Sequence, residues 1–253
     1  MSSNLRITSS FLNGLKSLFP EGSSRPVMST GSGSPILRNP WYIVAAVAFS
    51  ASNRPEGVPR VFEHVLEDLR ALGTNSLQSD EKLLAQKIRD ALFKSGLISG
   101  YPKAINSLKA LHEAMPDELK DKVMHRNPNT SLADYGATGQ HLFRSVYGEK
   151  AGSVQDMLDS AYPDMGWFSK TIGYGVVYGH TDITSSLETS YTLVAALIAG
   201  DTPQQIAWHL DGAQRAGATL DEVRAVRELS IEVAKFSGIQ WRNTVPEVEV
   251  FHG

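Results

Sequence analysis

The chain has 253 residues, a formal net charge of −3, 42% hydrophobic and 20% charged side chains, and no cysteine. It is long enough to bury a sizeable core, and it lacks the basic excess a general nucleic-acid binder needs, so no nucleic-acid partner is expected. Without cysteine there are no disulfides, thiol nucleophiles, zinc–thiolate sites or peroxidase cycles through a sulfenic acid, and an intracellular location fits.

Residues 1–38 differ from the rest. Arg6, Lys16, Arg25 and Arg38 face one acid, Glu21, in a serine-rich segment, and Phe11, Leu12, Leu15, Leu18 and Phe19 make a helical stripe. Two readings fit: a mitochondrial transit peptide, or a first amphipathic helix ended by Pro20 and followed by a Gly/Ser linker from Ser29 to Ser34. A secretory signal does not fit, because the apolar positions are spaced around a helix. The last residues, Phe251-His252-Gly253, are not a Ser-Lys-Leu type of peroxisomal address, which leaves cytoplasmic and peroxisomal locations open beside the mitochondrial one.

From Asn39-Pro40 the spacing predicts a helix through Trp41, Ile43, Val44, Val47 and Phe49 with almost no polar face, hence a buried one. Trp41 to Phe49 is also the longest wholly apolar run, about half of a membrane span, so no membrane insertion is expected. Pro55 opens the next helix, striped by Val58, Val61, Phe62, Val65, Leu66 and Leu69 and stopped by Gly73. Asp80 is a candidate cap for a third, with Leu83, Leu84, Ile88, Leu92 and Phe93 apolar. Pro102 then starts a helix through Ala104, Ile105, Leu108 and Leu111. Pro116 to Ser131 is polar and reads as exposed. Leu132 to Tyr147 and Val154 to Ala161 can each be helical, separated by Gly148. Tyr162, Trp167, Phe168, Tyr174 and Tyr178 follow, threaded with glycines, a pattern that suits either a pocket lining or close helix packing.

Leu187 to Trp241 is the best-specified stretch. An apolar helix through Val194, Ala195, Ala196, Leu197 and Ile198 stops at Gly200. Asp201 or Thr202 caps a second helix, which opens on Pro203 and carries His209. That helix ends at Gly217, and Thr219 caps a third, with Glu222 completing a capping box and Val223, Val226, Leu229, Val233 and Phe236 at helical spacing. No Val/Ile/Thr alternation bounded by tight-turn pairs occurs, so the fold class is all-α.

An internal echo suggests two related helical halves packed around a shared core. Val44-Ala-Ala-Val-Ala-Phe49, a break and Pro55 parallel Val194-Ala-Ala-Leu-Ile-Ala199, a break and Pro203. Ile88-Arg89-Asp90 ahead of Ser95-Gly96 parallels Val223-Arg224 ahead of Ser237-Gly238.

These residues resemble the carboxymuconolactone decarboxylase family, whose fold is shared with the alkylhydroperoxidase D-like proteins. The carriers are the Val-Ala-Ala-Leu helix, His209-Leu-Asp-Gly-Ala213, Ala216-Gly-Ala-Thr219-Leu-Asp-Glu222, and GYPKAINSLKAL from Gly100. NPWYIVAAVAFSASNRPEGVP from Asn39 and YPDMGWFSKTIGYGVVYGH from Tyr162 look like its fungal branch, which includes peroxisomal and mitochondrial proteins. The resemblance covers about residues 39–242, leaving 1–38 as an extension and 243–253 as a tail. It implies an alkylhydroperoxidase D-like fold and a homo-oligomer, for which the small-residue helix Val194 to Ala199 would suit burial between protomers.

The redox branch of that family has a Cys-x-x-Cys pair, and here Thr202 and Gln205 stand in its places, so thiol peroxidase chemistry is excluded. Its relay glutamate falls at Ser190; Glu188 lies two residues away, about 200° around a helix. The decarboxylase branch needs no cofactor: a general acid/base near neutral pKa and groups that orient a small organic acid suffice. His209 suits the first task, with Glu188 as a catalytic partner; Arg54, Tyr101, Tyr191 and His180 are candidate substrate-binding residues. Each has a plainer reading, His209 as a packed or capping histidine and Arg54 as an ion-pair residue. His64 and His141 read as satisfied boundary histidines. The histidines show no His-x-x-x-His spacing, and neither metal nor cofactor is expected. Two functions follow: a cofactor-free decarboxylase or lactone-processing enzyme acting on a small organic acid, or a catalytically silent binding or scaffold protein on the same fold. A cavity joining His209 to Glu188 or Tyr191 favours the first; enclosure of His209 among apolar side chains favours the second.

Overall fold

A helix with no polar face must be surrounded, and the fold is built around one. In the computed structural model, which describes residues 6–20, 34–73 and 77–251, every side chain from Trp41 to Ala51 is buried. The described residues form helices and no strand. They comprise α1 (Ser9–Leu18), α2 (Pro35–Arg38), α3 (Trp41–Ala51), α4 (Gly57–Leu72), α5 (Leu77–Ser99), α6 (Tyr101–Ala114), α7 (Leu132–Tyr147), α8 (Ala151–Ala161), α9 (Pro163–Trp167), a π-helical segment (Phe168–Tyr178), α10 (Ser186–Ala199), α11 (Pro203–Arg215) and α12 (Leu220–Phe236). None of them is long and apolar enough to cross a membrane.

The two apolar helices, α3 and α10, pack against each other at the centre. α3 also touches α4, α5 and α12, and α10 also touches α11, α12 and α5. Exchanging α3 with α10, α4 with α11 and α5 with α12 returns the same set of contacts. Each apolar helix is followed by a residue in the left-handed region, Asn53 (φ 58°) and Asp201 (φ 54°), a conformation that short polar side chains tolerate. The other half of the echo fails: Ser95-Gly96 lies inside α5, whereas Ser237-Gly238 follows the end of α12, with Gly238 at φ 87°.

Local signals place the helix ends. Gly73 caps α4 in the left-handed conformation. Ser185 with Glu188, and Thr219 with Glu222, form complete capping boxes on α10 and α12. Asp80, expected as a cap, instead sits inside the first turn of α5, which starts at Leu77, and its carboxylate accepts from the Ser34 amide at 3.2 Å.

α1 is packed into the core. Leu12, Leu15 and Phe19 are buried, Phe11 stacks on Phe236 with ring centroids 4.5 Å apart, and Lys16 pairs with Asp68 at 2.7 Å. This is how a first helix of the fold sits; most of the Gly/Ser linker lies outside the described residues. The helix expected to serve a protomer interface, Val194 to Ala199, is consumed inside the chain, where α3, α5 and α12 bury it.

A second, smaller cluster forms where α7 packs on the π-helical segment: Phe143, Val146, Tyr147, Tyr174, Val177 and Tyr178, closed by Leu193 of α10. The glycines here serve packing. A Cβ on Gly139 would lie 1.9 Å from the Lys170 carbonyl oxygen, and one on Gly175 would lie 2.2 Å from that of Tyr135. Gly139→Ala or Gly175→Ala should therefore push the pair apart and cost about 1–3 kcal/mol or more in denaturant unfolding. Gly14→Ala and Gly152→Ala, helical positions with open space beside them, should instead be neutral or gain ~0.5–1 kcal/mol.

Candidate functional site

His209 is presented by α11, which opens on Pro203; neither expected cap closes it, since the Thr202 hydroxyl donates back to the Leu197 carbonyl at 3.4 Å and the Asp201 carboxylate accepts from the Arg242 amide at 2.9 Å. His209 is 5% exposed, and its ring faces the second cluster. Its Nε2 lies 3.4 Å from the Tyr174 hydroxyl, which donates to the Tyr147 hydroxyl at 3.0 Å, and the Tyr147 ring meets it edge-on at 5.8 Å. The α7–π pair thus roofs the histidine with two phenols. Burial alone pushes its pKa down to about 4, so it stays neutral at physiological pH. Burial likewise raises the pKa values of Tyr147 and Tyr174, which remain phenols. A cleft of about 400 Å³ opens nearby, between the outer face of α11 and the C-terminal tail, but His209 does not line it.

Glu188 has a different neighbourhood. As the third residue of α10 it closes a capping box, accepting from the Ser185 amide at 2.9 Å, and it pairs with Lys87 of α5. Among the described residues it shares no hydrogen-bond or ion-pair partner with His209. Ser190, at the other expected position, donates to the Ser186 carbonyl at 3.1 Å.

The substrate-binding candidates are dispersed. Arg54 pairs with Glu56 at 2.5 Å in the α3–α4 loop. Tyr101 is 64% exposed at the start of α6. Tyr191 is buried beside Phe19, their centroids 5.9 Å apart. Of the boundary histidines, His64 sits 3.0 Å from the Asn13 amide oxygen, and His141 is exposed.

His180 belongs to the polar centre of the molecule, which the sequence reading missed. Lys94 of α5, fully buried, donates to the His180 carbonyl (2.7 Å), to the hydroxyls of Thr184 (2.7 Å) and Thr189 (2.8 Å), and lies 3.2 Å from Asp90. Arg126 reaches the other Asp90 oxygen at 2.9 Å and donates to the carbonyls of Val176 and Val177, at the end of the π-helical segment. For Asp90, burial is outweighed by the Lys94 and Arg126 charges and by hydrogen bonds, and the carboxyl is held below its usual range. Burial pushes Lys94 down to about 8 against the pull of Asp90. His180 is pushed down by burial first and then by Arg126; its Nε2 has no hydrogen-bond partner among the described residues. Among the described residues, no three His, Asp or Glu side chains converge in a way that could hold a metal ion.

The segment Pro116 to Ser131 is therefore not simply exposed: Leu119 is buried, and Arg126 enters the core network. The available signal was on α5, where Lys87, Asp90 and Lys94 recur at helical spacing on the flank of the apolar row of Leu84, Ile88 and Ala91, and all six are buried. Charges on a buried stripe require partners.

Two yeast proteins align with this chain over most of its length. Peroxisomal protein 2 of Saccharomyces cerevisiae is 27% identical over 83% of this chain and 93% of its own. Peroxisomal protein 2 of Schizosaccharomyces pombe is 31% identical over 81% of this chain and 90% of its own. The chain belongs to the Peroxisomal protein 2 family. Both relatives are called peroxisomal, neither mitochondrial. No family model matches the chain, and no solved structure matches it, so within the Peroxisomal protein 2 family the site has to be read from its own geometry.

The sign of the His209 shift gives a testable pH dependence. The unfolded chain takes up the proton near 6.5, whereas the folded one resists it to about 4. Stability should thus be full above pH 6.5, fall as pH drops towards 4, and lose about 3 kcal/mol from this group. Urea unfolding across that range should show the decline, and His209→Phe should flatten it.

Proposed function

We propose that this chain is a peroxisomal small-acid-binding protein on a carboxymuconolactone decarboxylase-like, alkylhydroperoxidase D-like scaffold, in which His209 no longer performs acid/base chemistry. The observation that carries this reading is the enclosure of His209: it is roofed by Tyr147 and Tyr174, neutral, and without a carboxylate partner among the described residues, while Glu188 is held by Lys87 and its own helix cap. A general acid/base needs a pKa near the working pH and a path to substrate. The reciprocal packing of α3–α5 and α10–α12 supports the scaffold, and the names of the two relatives support the location. Self-association, which the resemblance implies, would draw on the exposed Tyr162, Met165, Trp167 and Phe168 rather than on α10.

The test compares metabolite profiles of cells lacking the protein, cells with the wild type and cells with His209→Phe at equal abundance. The His209→Phe profile should match the wild type. If it matches the cells lacking the protein, His209 is catalytic and the binding reading fails. An N-terminally tagged full chain should co-localise with a peroxisomal marker, and diffuse or mitochondrial signal would count against the location.

A further inference from the structure

Beside the buried ion network, a cleft of about 200 Å³ opens between α5, α6 and the segment that carries Arg126. Its lining combines the apolar side chains Phe93, Leu108 and Ile183 with Arg89 and Arg126, the latter stacked on Phe93. Asp90 also reaches it, with both carboxylate oxygens engaged, one by Arg126 and the other by Thr184 and Lys94. His125, at the same cleft, pairs with Asp121 at 2.8 Å.

The arginines are not fully used. Arg89 donates through Nη1 to the Asp121 carbonyl oxygen at 3.2 Å and has no carboxylate in ion-pair range among the described residues. Arg126 is held rigidly: Nε and Nη2 are taken by Val176, Val177 and Asp90, and its plane lies 4.5 Å over the Phe93 ring. Its Nη1 has no partner among the described residues. Counting Lys94, Arg89 and Arg126 against Asp90 and Asp121, the permanent and paired charges here leave one positive charge in excess, on a chain whose formal net charge is −3.

We propose that this cleft binds a small organic carboxylate, its carboxyl group bridging Arg89 and Arg126 Nη1 and its apolar body lying on Phe93, Leu108 and Ile183. Guanidinium groups match a carboxylate through paired, charge-assisted hydrogen bonds. The three apolar side chains favour an organic acid over inorganic phosphate. The volume is below the ~300–1,000 Å³ of pockets for drug-sized ligands, which selects a short acid. Arg126 is already oriented before binding, so little order is lost when a ligand arrives. The inference rests on the small-acid reading above for the class of ligand, but places the site away from His209.

Ligand-observed NMR with hexanoate on the full chain tests it, with hexanamide and inorganic phosphate as comparison probes. Hexanoate should bind the wild type and hexanamide should not. Arg89→Gln should weaken hexanoate at least ~10-fold, the scale of one charge-assisted hydrogen bond, without lowering thermal stability, since Arg89 makes a single long hydrogen bond among the described residues. Leu108→Trp, which fills the cleft, should abolish binding. Arg54→Gln and His209→Phe should leave it intact. Absence of hexanoate binding, or binding insensitive to Arg89→Gln and Leu108→Trp, overturns the cleft proposal. Equal binding of phosphate that competes with hexanoate overturns the assignment to organic acids. Binding lost only in His209→Phe overturns both the cleft and the silent-histidine reading, whereas binding lost only in Arg89→Gln and Leu108→Trp sustains both.

Discussion

The central constraint is that α3 and α10 must both be enclosed. Every side chain of α3, and every one of α10 from Thr189 to Ile198, is buried, and Ala45, Ala46, Ala48, Ala195 and Ala196 let the pair approach closely enough to leave little void. Enclosing two such helices requires a ring of amphipathic ones, and α4, α5, α11 and α12 supply it. Their ends impose a second demand, because the last carbonyls of a buried helix have no partner within it. Lys103 donates to the Ala51 carbonyl at 2.8 Å and Trp241 to that of Ile198 at 2.6 Å, so a side chain distant in sequence serves the end of each apolar helix. The N-terminal stripe belongs to the same enclosure: Phe19 covers Tyr191 on α10, and Phe11 covers Phe236 on α12.

The interior treats its ionisable groups in two ways, and the difference decides what each can do. His209 is surrounded by rings and has no charged partner among the described residues, so burial alone sets its state and it remains neutral. Lys94 is surrounded by oxygens, three of them within 2.8 Å, so its charge is matched by Asp90 and dispersed over hydroxyls and a carbonyl. A matched buried pair contributes little net stability, but removing one partner leaves an uncompensated charge. The network therefore fixes positions: it ties α5 to the start of α10, to the loop through His180 and Thr184, and, through Arg126, to the end of the π-helical segment.

Much of the fold was legible because its signals are local. The apolar run of α3, the stripe and terminal glycine of α4, Pro203 opening α11, and the capping box of Thr219 with Glu222 each depend on residues within a turn or two. What was not legible depends on partners far along the chain. Asp80 has the residue type of a cap, but its carboxylate serves Ser34. Pro116 to Ser131 looks solvated by composition, but Arg126 crosses it to meet Asp90. The histidine was visible as a candidate, and its roof was not, since Tyr147 and Tyr174 reach it from a pair of helices whose contact depends on two glycines 36 positions apart, Gly139 and Gly175. Tyr162, Trp167 and Phe168, read together with Tyr174 and Tyr178 as one cluster, are exposed.

The same contrast explains why ligand binding is easier to build at the α5 cleft than at His209. To meet an acid, His209 would have to lose the packing of Tyr147 and Tyr174 and gain a proton that its surroundings resist. Arg126 needs neither change. Its charge is permanent, its orientation is set by two backbone carbonyls and the Phe93 ring, and its desolvation is already offset by Asp90. A carboxylate entering there would meet donors ordered by folding itself, so the network that closes the fold also prepares the site.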